Sequence, residues 1–570
     1  MKIRSAALAV LLLAFVLPPI KSMAAPKKTA AERPFSIVEA SIGDMQAALK
    51  SGRVTSHELV QQSLIRIATY EDKLHAIITI NPKALEEADA LDRERAAGHI
   101  RGPLHGIPIA LKDNIQTTNM LTTGGTLAFA NLVPPYDATL TKNLRDGGAI
   151  IIAKTQLTEL ANWVAGNPPM PNNYNSLNGY GFNPYDPRRD PREASGDGRP
   201  ALNTGGSSSG AGTAASFWAA NVGTETSGSI LSPSNQNMLA AVKPTVGRVS
   251  RYGVIPITAD QDTPGPMARY VYDAATLLGV LEGNNPDPND AATSKCTPPP
   301  NHDYTQFLKK DGLKGARIGI PRAGFYDKIQ LPGREKPSGG LNPEQTKAMA
   351  DAIAVLKEQG AVIVDPADIP SVVNKDPKNN FFLWGVCGDM DDVKEKKCST
   401  VLAYGMERDF NKWLASLGKD APVKSLTDLR EWNRKHEKMG TIKYGQSLLD
   451  ISDAMDQDLF RARYEADRAR DIQLAATHGI DEVMKANNLD ALLFPGPGGA
   501  GVAARPGYPT VIVPYALVPN APTPAFPEGF NAKPQPFGVS FTGMACSEPT
   551  LLRLAYAFEQ ATKKRVAPLP

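Results

Sequence analysis

Between Gly205 and Pro233 the chain reads GGSSSGAGTAASFWAANVGTETSGSILSP, two serine-bearing, glycine-lined turns on either side of a run of small residues. An amide is a poor electrophile with a poor leaving group, so its hydrolysis needs a nucleophile, a proton shuttle and N–H donors aimed at the developing oxyanion. Ser229 is the best-placed nucleophile. It follows Thr226, Ser227 and Gly228, a tight turn whose successive backbone N–H groups can converge on one oxygen, and Ile230 and Leu231 fix the segment behind it. The matching base is Lys112, which the apolar run Ile107 to Leu111 delivers toward the protein interior. Desolvation beside hydroxyls would lower its pKa and leave some of the amine neutral, as a general base requires.

Each of these residues has a plainer alternative. Gly205 to Gly210 alone reads as a flexible linker, yet it runs straight into Ala211 to Ala220, a small-residue segment able to pack closely as a helix. Lys112 could be a strand-end lysine with its amine in water, the usual fate of that residue. No rival base has supporting context. The seven histidines are scattered, and His105 belongs to the turn before the lysine's strand. There is no His-Glu-x-x-His zinc motif and no Walker-type phosphate loop, so no cofactor or metal is expected.

These residues need a scaffold, and 570 residues at 42% apolar and 21% charged can bury a large core. Residues 1 to 25 have the order of a secretory signal: Lys2 and Arg4, an apolar run from Ala6 to Val16, then small residues ending at Ala25. The apolar run is about half the roughly 20 residues of a spanning helix. Export is therefore expected, to the periplasm of a Gram-negative source and otherwise to the medium, with residues 26 to 570 as a single domain. The formal balance is +3, and the leader holds Lys2, Arg4 and Lys21 without an acid, so the mature chain is near neutral. That gives no electrostatic reason to bind nucleic acid or an anionic membrane. The four cysteines are too dispersed for structural zinc. Cys387 and Cys398 can pair across a short loop in an oxidising compartment, while Cys546 reads as a buried thiol.

Helices open the chain: one capped by Ser41 and reaching Lys50, one with the Thr55 and Glu58 capping box, and one from Asn81-Pro82 to Gly98. Short apolar runs then predict buried strands at Ile107 to Leu111, Ala149 to Ala153, Leu239 to Val242, Arg317 to Ile320 and Ala361 to Val364. Later runs lie at Ala491 to Phe494, Thr510 to Val513 and Phe537 to Phe541. The pattern is that of an α/β protein with one central sheet covered by helices. Pro286 to Pro300 reads as a surface linker, about 285–480 as a mainly helical covering region, and the end as a helix capped by Ser547.

With those residues assembled, the sequence resembles the amidase signature family over most of the mature chain, most strongly over residues 101–270 and 489–564. Beyond Lys112 and the two serine runs, the likeness includes Asn183-Pro-Tyr-Asp-Pro187, Val242 to Gly253 and Gln261 to Arg269. Gly507-Tyr-Pro509, Phe537 to Phe541 and Ser547-Glu-Pro549 extend it. The resemblance implies a large, mixed, twisted sheet with helices on both sides. It also implies a triad of Ser229 as nucleophile, Ser207, preceded by a cis peptide, as the bridge, and Lys112 as base. Thr226, Ser227 and Gly228 would form the oxyanion hole and Ser208 would support the relay.

The sequence departs from the family pattern in three ways. Ser207 and Ser229 are 22 positions apart, two fewer than usual. Ser227 stands where a second glycine is common, and Leu231 where an arginine is common. Asp190 to Leu202 is inserted before the Gly-Gly-Ser-Ser run and reads as a polar surface loop or, alternatively, a lid. The leading expectation is an exported amidohydrolase, monomeric or homodimeric, acting on a peptide C-terminal amide or a small acyl or aryl amide. Within the family, Gly223 to Thr226 and Gln261 to Arg269 look most like the peptide amidase branch. The alternative is a protein like the glutaminase component of the glutamyl-tRNA amidotransferase, acting with partner subunits. A catalytically dead binding protein is the third reading, opposed by the presence of all three triad positions.

Overall fold

The computed structural model describes residues 34–193, 196–395 and 397–568, so the leader at residues 1–25 lies outside the described residues. From Ser36 onward the chain forms one compact unit. Among the described residues, eleven strands make one sheet. In chain order they are β1 (Ile77–Ile80), β2 (Pro108–Lys112), β3 (Ile150–Thr155), β4 (Ala220–Glu225), β5 (Ala240–Lys243) and β6 (Thr263–Ala268), followed by β7 (Arg317–Gly319), β8 (Val362–Val364), β9 (Ala491–Pro495), β10 (Thr510–Val518) and β11 (Gln535–Thr542). Their order across the sheet is β1-β3-β2-β4-β6-β5-β10-β11-β9-β7-β8. β2 runs parallel to both β3 and β4, whereas β4, β5 and β10 take antiparallel neighbours. The sheet is mixed, and its central strands are buried throughout.

Eight of the strands occupy the expected apolar runs, with ends shifted by a few residues. β1, β4 and β6 were not expected. β4 (ANVGTE) and β6 (TPGPMA) are fully buried yet hold glycine, threonine and proline, so they lack the apolar pattern of a central strand. Finding β4 corrects the expected helix over Ala211 to Ala220. That helix lasts one turn, Ala211–Ala214. The chain reverses at Ser216, whose φ is 57°, and Trp218 folds back so that a Cβ on Gly212 would lie 2.2 Å from its ring.

Capping follows the expected chemistry at two of the early helices. Ser41 and Thr55 each make a reciprocal capping box, with Asp44 and Glu58. The last helix, Glu548–Thr562, begins differently: Ser547 makes no side-chain cap because its hydroxyl is donated to the carbonyl of Met544. Glu548 instead turns inward to Arg248 and the Thr245 amide.

Cys387 pairs with Cys398. Cys546 is not a free thiol as expected, since it is joined to Cys296 across a separation of 250 residues. Sequence distance concealed this pair: the 287–296 segment returns to the start of the last helix. The same segment is more than a surface linker. Asp290 is held by Arg251, and Asp287 accepts from Ser250 and Thr139.

The end of β2 is fixed from below by a fully buried ion pair, Asp113 with Lys154 of β3 at 3.2 Å. Lys154 also donates to the Leu121 carbonyl and the Thr122 hydroxyl, and Asp113 accepts from the Thr123 amide. Burial pushes the Asp113 carboxyl up and the Lys154 amine down, while their mutual attraction opposes both shifts. Lys154→Met leaves Asp113 an unpaired buried charge and should cost about 3–5 kcal/mol of stability, measured by urea denaturation against wild type.

Candidate active site

Lys112 ends β2 and is completely buried. Its Nζ lies 2.9 Å from Ser207 Oγ, 2.9 Å from Thr224 Oγ1 and 3.2 Å from the Thr224 carbonyl oxygen. The geometry suits proton exchange. A neutral amine keeps two N–H groups for the two Thr224 acceptors and turns its lone pair to the Ser207 hydroxyl. Asn114 holds Thr224 from the other side, donating to Oγ1 at 3.0 Å. Burial brings the Lys112 pKa down to about 7, against the opposing pull of the Asp262 and Glu225 carboxylates.

The two serine runs pack backbone against backbone. A Cβ on Gly205, whose φ is 96°, would fall 2.3 Å from Pro233 Cα, and one on Gly206 would lie 3.0 Å from Ser229 Cα. Only glycine permits that approach. The Ser208 amide donates to the Ser229 carbonyl at 3.2 Å, and the Ser208 hydroxyl bridges the Thr224 amide and carbonyl. Ser208 is therefore a brace between the runs, and Ser207 is the serine that meets the lysine.

Ser229 is pinned from its other side too. Glu225 Oε2 accepts from the amides of Ile230 and Leu231 at 2.7 and 2.9 Å, capping the helix Leu231–Gln236 that follows. Gly228, at φ 94°, makes the turn, and Ser229 is partly exposed while Ser227 faces solvent. Thr226 is held by two adjacent residues: its hydroxyl donates to Asp262 at 2.5 Å and its carbonyl accepts from Gln261. Burial raises the Asp262 pKa to about 6.

The amidase family pattern matches this chain over residues 58–552. The chain belongs to the amidase family. A probable amidase of Arabidopsis thaliana is 32% identical over 541 residues, covering 94% of this amidase and 92% of the plant protein. The crystal structure of the native peptide amidase of Stenotrophomonas maltophilia superposes with a TM-score of 0.75 at 34% identity, covering 93% of this chain and 98% of that one. A glutamyl-tRNA(Gln) amidotransferase component of Chloroflexus aurantiacus is 38% identical over 323 residues, which is 56% of this chain and 58% of that protein. The chain is thus an amide-hydrolysing enzyme on the family fold.

In this amidase a cavity of about 640 Å³ borders the lysine's polar partners. Its walls include Asn114, Thr224, Thr226 and Asp262 on the sheet side and Tyr252 and Trp413 beyond. Trp413 comes from the helix Val401–Ser416, so the helical covering region supplies part of the wall. The 190–202 insertion is tied down on the described residues around it. Arg192 pairs with Asp190 and reaches the Pro524 carbonyl, and Asp197 accepts from Tyr444.

Two implications of the family likeness are not met. The cis peptide bonds among the described residues are Asn167-Pro168, Asp365-Pro366 and Thr523-Pro524, so the Gly206-Ser207 bond is trans. The trans bond already brings the Ser207 hydroxyl to Lys112. Nor are the Ser207 and Ser229 hydroxyls hydrogen bonded to each other; catalytic hydrogen bonds commonly tighten only when substrate is bound. Thr224, Asn114, Glu225, Gln261 and Asp262 were missed as site residues. Thr224 and Glu225 stand in the same short motif as Thr226, yet nothing local reveals that their partners are Lys112 and the Ile230 and Leu231 amides.

A rate that depends on neutral Lys112 rises as pH passes up through about 7 and levels off above it, because the pKa is lowered and the free amine is the form present on the alkaline side. The profile of kcat/KM against pH checks this, and Lys112→Met should remove the limb together with the activity.

Proposed function

We propose that this amidase is an exported serine amidohydrolase that works through an acyl-enzyme, with Ser229 as nucleophile and Ser207 and Lys112 as the proton relay. The observation that carries the reading is the fully buried Lys112 amine, held by Thr224 and turned to the Ser207 hydroxyl at 2.9 Å. Neutral Lys112 draws a proton through Ser207 from Ser229 as its Oγ attacks the amide carbon, and the turn Thr226 to Gly228 offers amides to the oxyanion. The proton returns along the same route to the leaving amine, and water then releases the acyl group.

The substrate we infer is a peptide C-terminal amide or a small acyl or aryl amide. The likeness to the Stenotrophomonas peptide amidase over nearly the whole chain supports it. So does a cavity of about 640 Å³ with Tyr252 and Trp413 in its walls, which reaches Thr224 and Asn114 around the lysine amine, a size suited to a substantial substrate group. Two disulfides support an oxidising compartment, in keeping with the signal-like leader. Among the described residues no helix is long and apolar enough to cross a membrane. The similarity to the glutamyl-tRNA(Gln) amidotransferase component favours a second reading, a glutaminase acting with partner subunits.

Wild type, Ser229→Ala and Lys112→Ala assayed on peptide amides, aryl anilides, short aliphatic amides and glutamine separate these readings. Wild type should release ammonia from peptide amides unaided, and either substitution should lower kcat by about 10³-fold or more. Full activity in Ser229→Ala would sink the mechanism. Activity on glutamine alone, and only in the presence of another protein component, would establish the other reading.

A further inference from the structure

The register of the central strands reaches beyond Lys112. β2 pairs with β4 through Ala110↔Asn221 and Leu111↔Val222, which sets Lys112 beside Gly223. Gly223 pairs with Gly265 of β6, and Met267 pairs with Ala241, which sets Gly265 beside Lys243 of β5. Lys112, Gly223, Gly265 and Lys243 therefore form one row across four strands, and neighbours in a row share a face of the sheet. That face is the one under the serine turns. A Cβ on Gly223 would lie 2.9 Å from Ser208 Oγ, and one on Gly265 would lie 3.1 Å from Ile230 Cδ1.

The row thus has a buried lysine at each end and two glycines beneath the catalytic turns. Lys243 is 1% exposed, and its Nζ makes no hydrogen bond with any described residue. Glu225 lies two residues along β4 from Gly223, on the same face. One of its oxygens caps the Ser229 turn; the other, Oε1, is buried and has no hydrogen-bond partner. Its negative charge acts on both Lys112 and Lys243. A buried carboxylate needs a counter-charge, and if Lys112 alone supplied it, Glu225 would hold the proton on the group that must lose it.

We propose that Lys243 is a positioning residue whose ammonium is the counter-charge of Glu225, steadying the carboxylate that caps the Ser229 turn and offsetting its pull on the Lys112 proton. The inference rests on the reading of Lys112 as the base. The other charges facing Lys243 are Glu548, already engaged by Arg248 and the Thr245 amide, and Lys295. Those facing Lys112 are Asp262 and Glu225. Burial lowers the Lys243 pKa to about 8, against the opposing pull of the Glu225 and Glu548 carboxylates.

The test is the kcat/KM profile against pH on the wild-type substrate. Lys243→Met should move the acid limb upward by about 0.5 to 1 pH unit, lowering the rate below the limb by about 3- to 10-fold with KM little changed. Lys243→Arg, which keeps the charge, should restore the limb. Glu225→Gln should move it downward, and adding Lys243→Met to that variant should move it no further. A Lys243→Met enzyme with wild-type circular dichroism and an unmoved limb overturns the proposal, whatever its melting temperature. If that variant does not fold, Glu225→Gln alone decides, an unmoved limb again overturning it. Activity surviving in Lys112→Ala would instead overturn the reading of the base.

Discussion

The structure turns on keeping one amine out of water. Lys112 is completely buried at the end of a central strand, where desolvation takes away most of its preference for the charged form. Burial alone would simply penalise the fold. Thr224 makes it workable by accepting two N–H bonds from the amine, which leaves one direction open toward Ser207. The surrounding sheet is organised around that direction: parallel strands on both sides of β2, and the Asp113 and Lys154 pair beneath its end.

Close packing of backbone is the second constraint. The turns carrying Ser207 and Ser229 meet through Gly205 and Gly206 and lie over Gly223 and Gly265. Side chains at these positions would run into the turns they face, so glycines in the middle of a sheet, which ordinarily weaken it, here create the room the turns occupy. Glu225 completes the arrangement by tying the strand to the amides that follow Ser229.

This explains what could and could not be read in the chain. The meeting of Lys112 with Ser207 and the packing of the two serine runs were legible because both lie in short, unusual strings, and eight strands because they are uninterrupted apolar runs. β4 and β6 were hidden because the positions beneath the turns are glycine, so the central strands look least like strands. The roles of Glu225, Asp262 and Thr224 depend on partners that strand register supplies, and the Cys296 and Cys546 pair closes over 250 residues. The trans bond before Ser207 shows the opposite case, in which family likeness implied a local detail that the packing does without.

The wall of the cavity has a different origin from its floor. Asn114, Thr224 and Thr226 belong to the strand ends that hold the lysine, whereas Trp413 comes from the covering helices and Asn289 to Ala292 from a segment stapled near its end by a disulfide. The groups around the Lys112 amine and the outer wall of the cavity therefore lie on separate stretches of chain. Substitutions in the helical layer can reshape the outer wall of the cavity without touching the groups that hold the Lys112 amine.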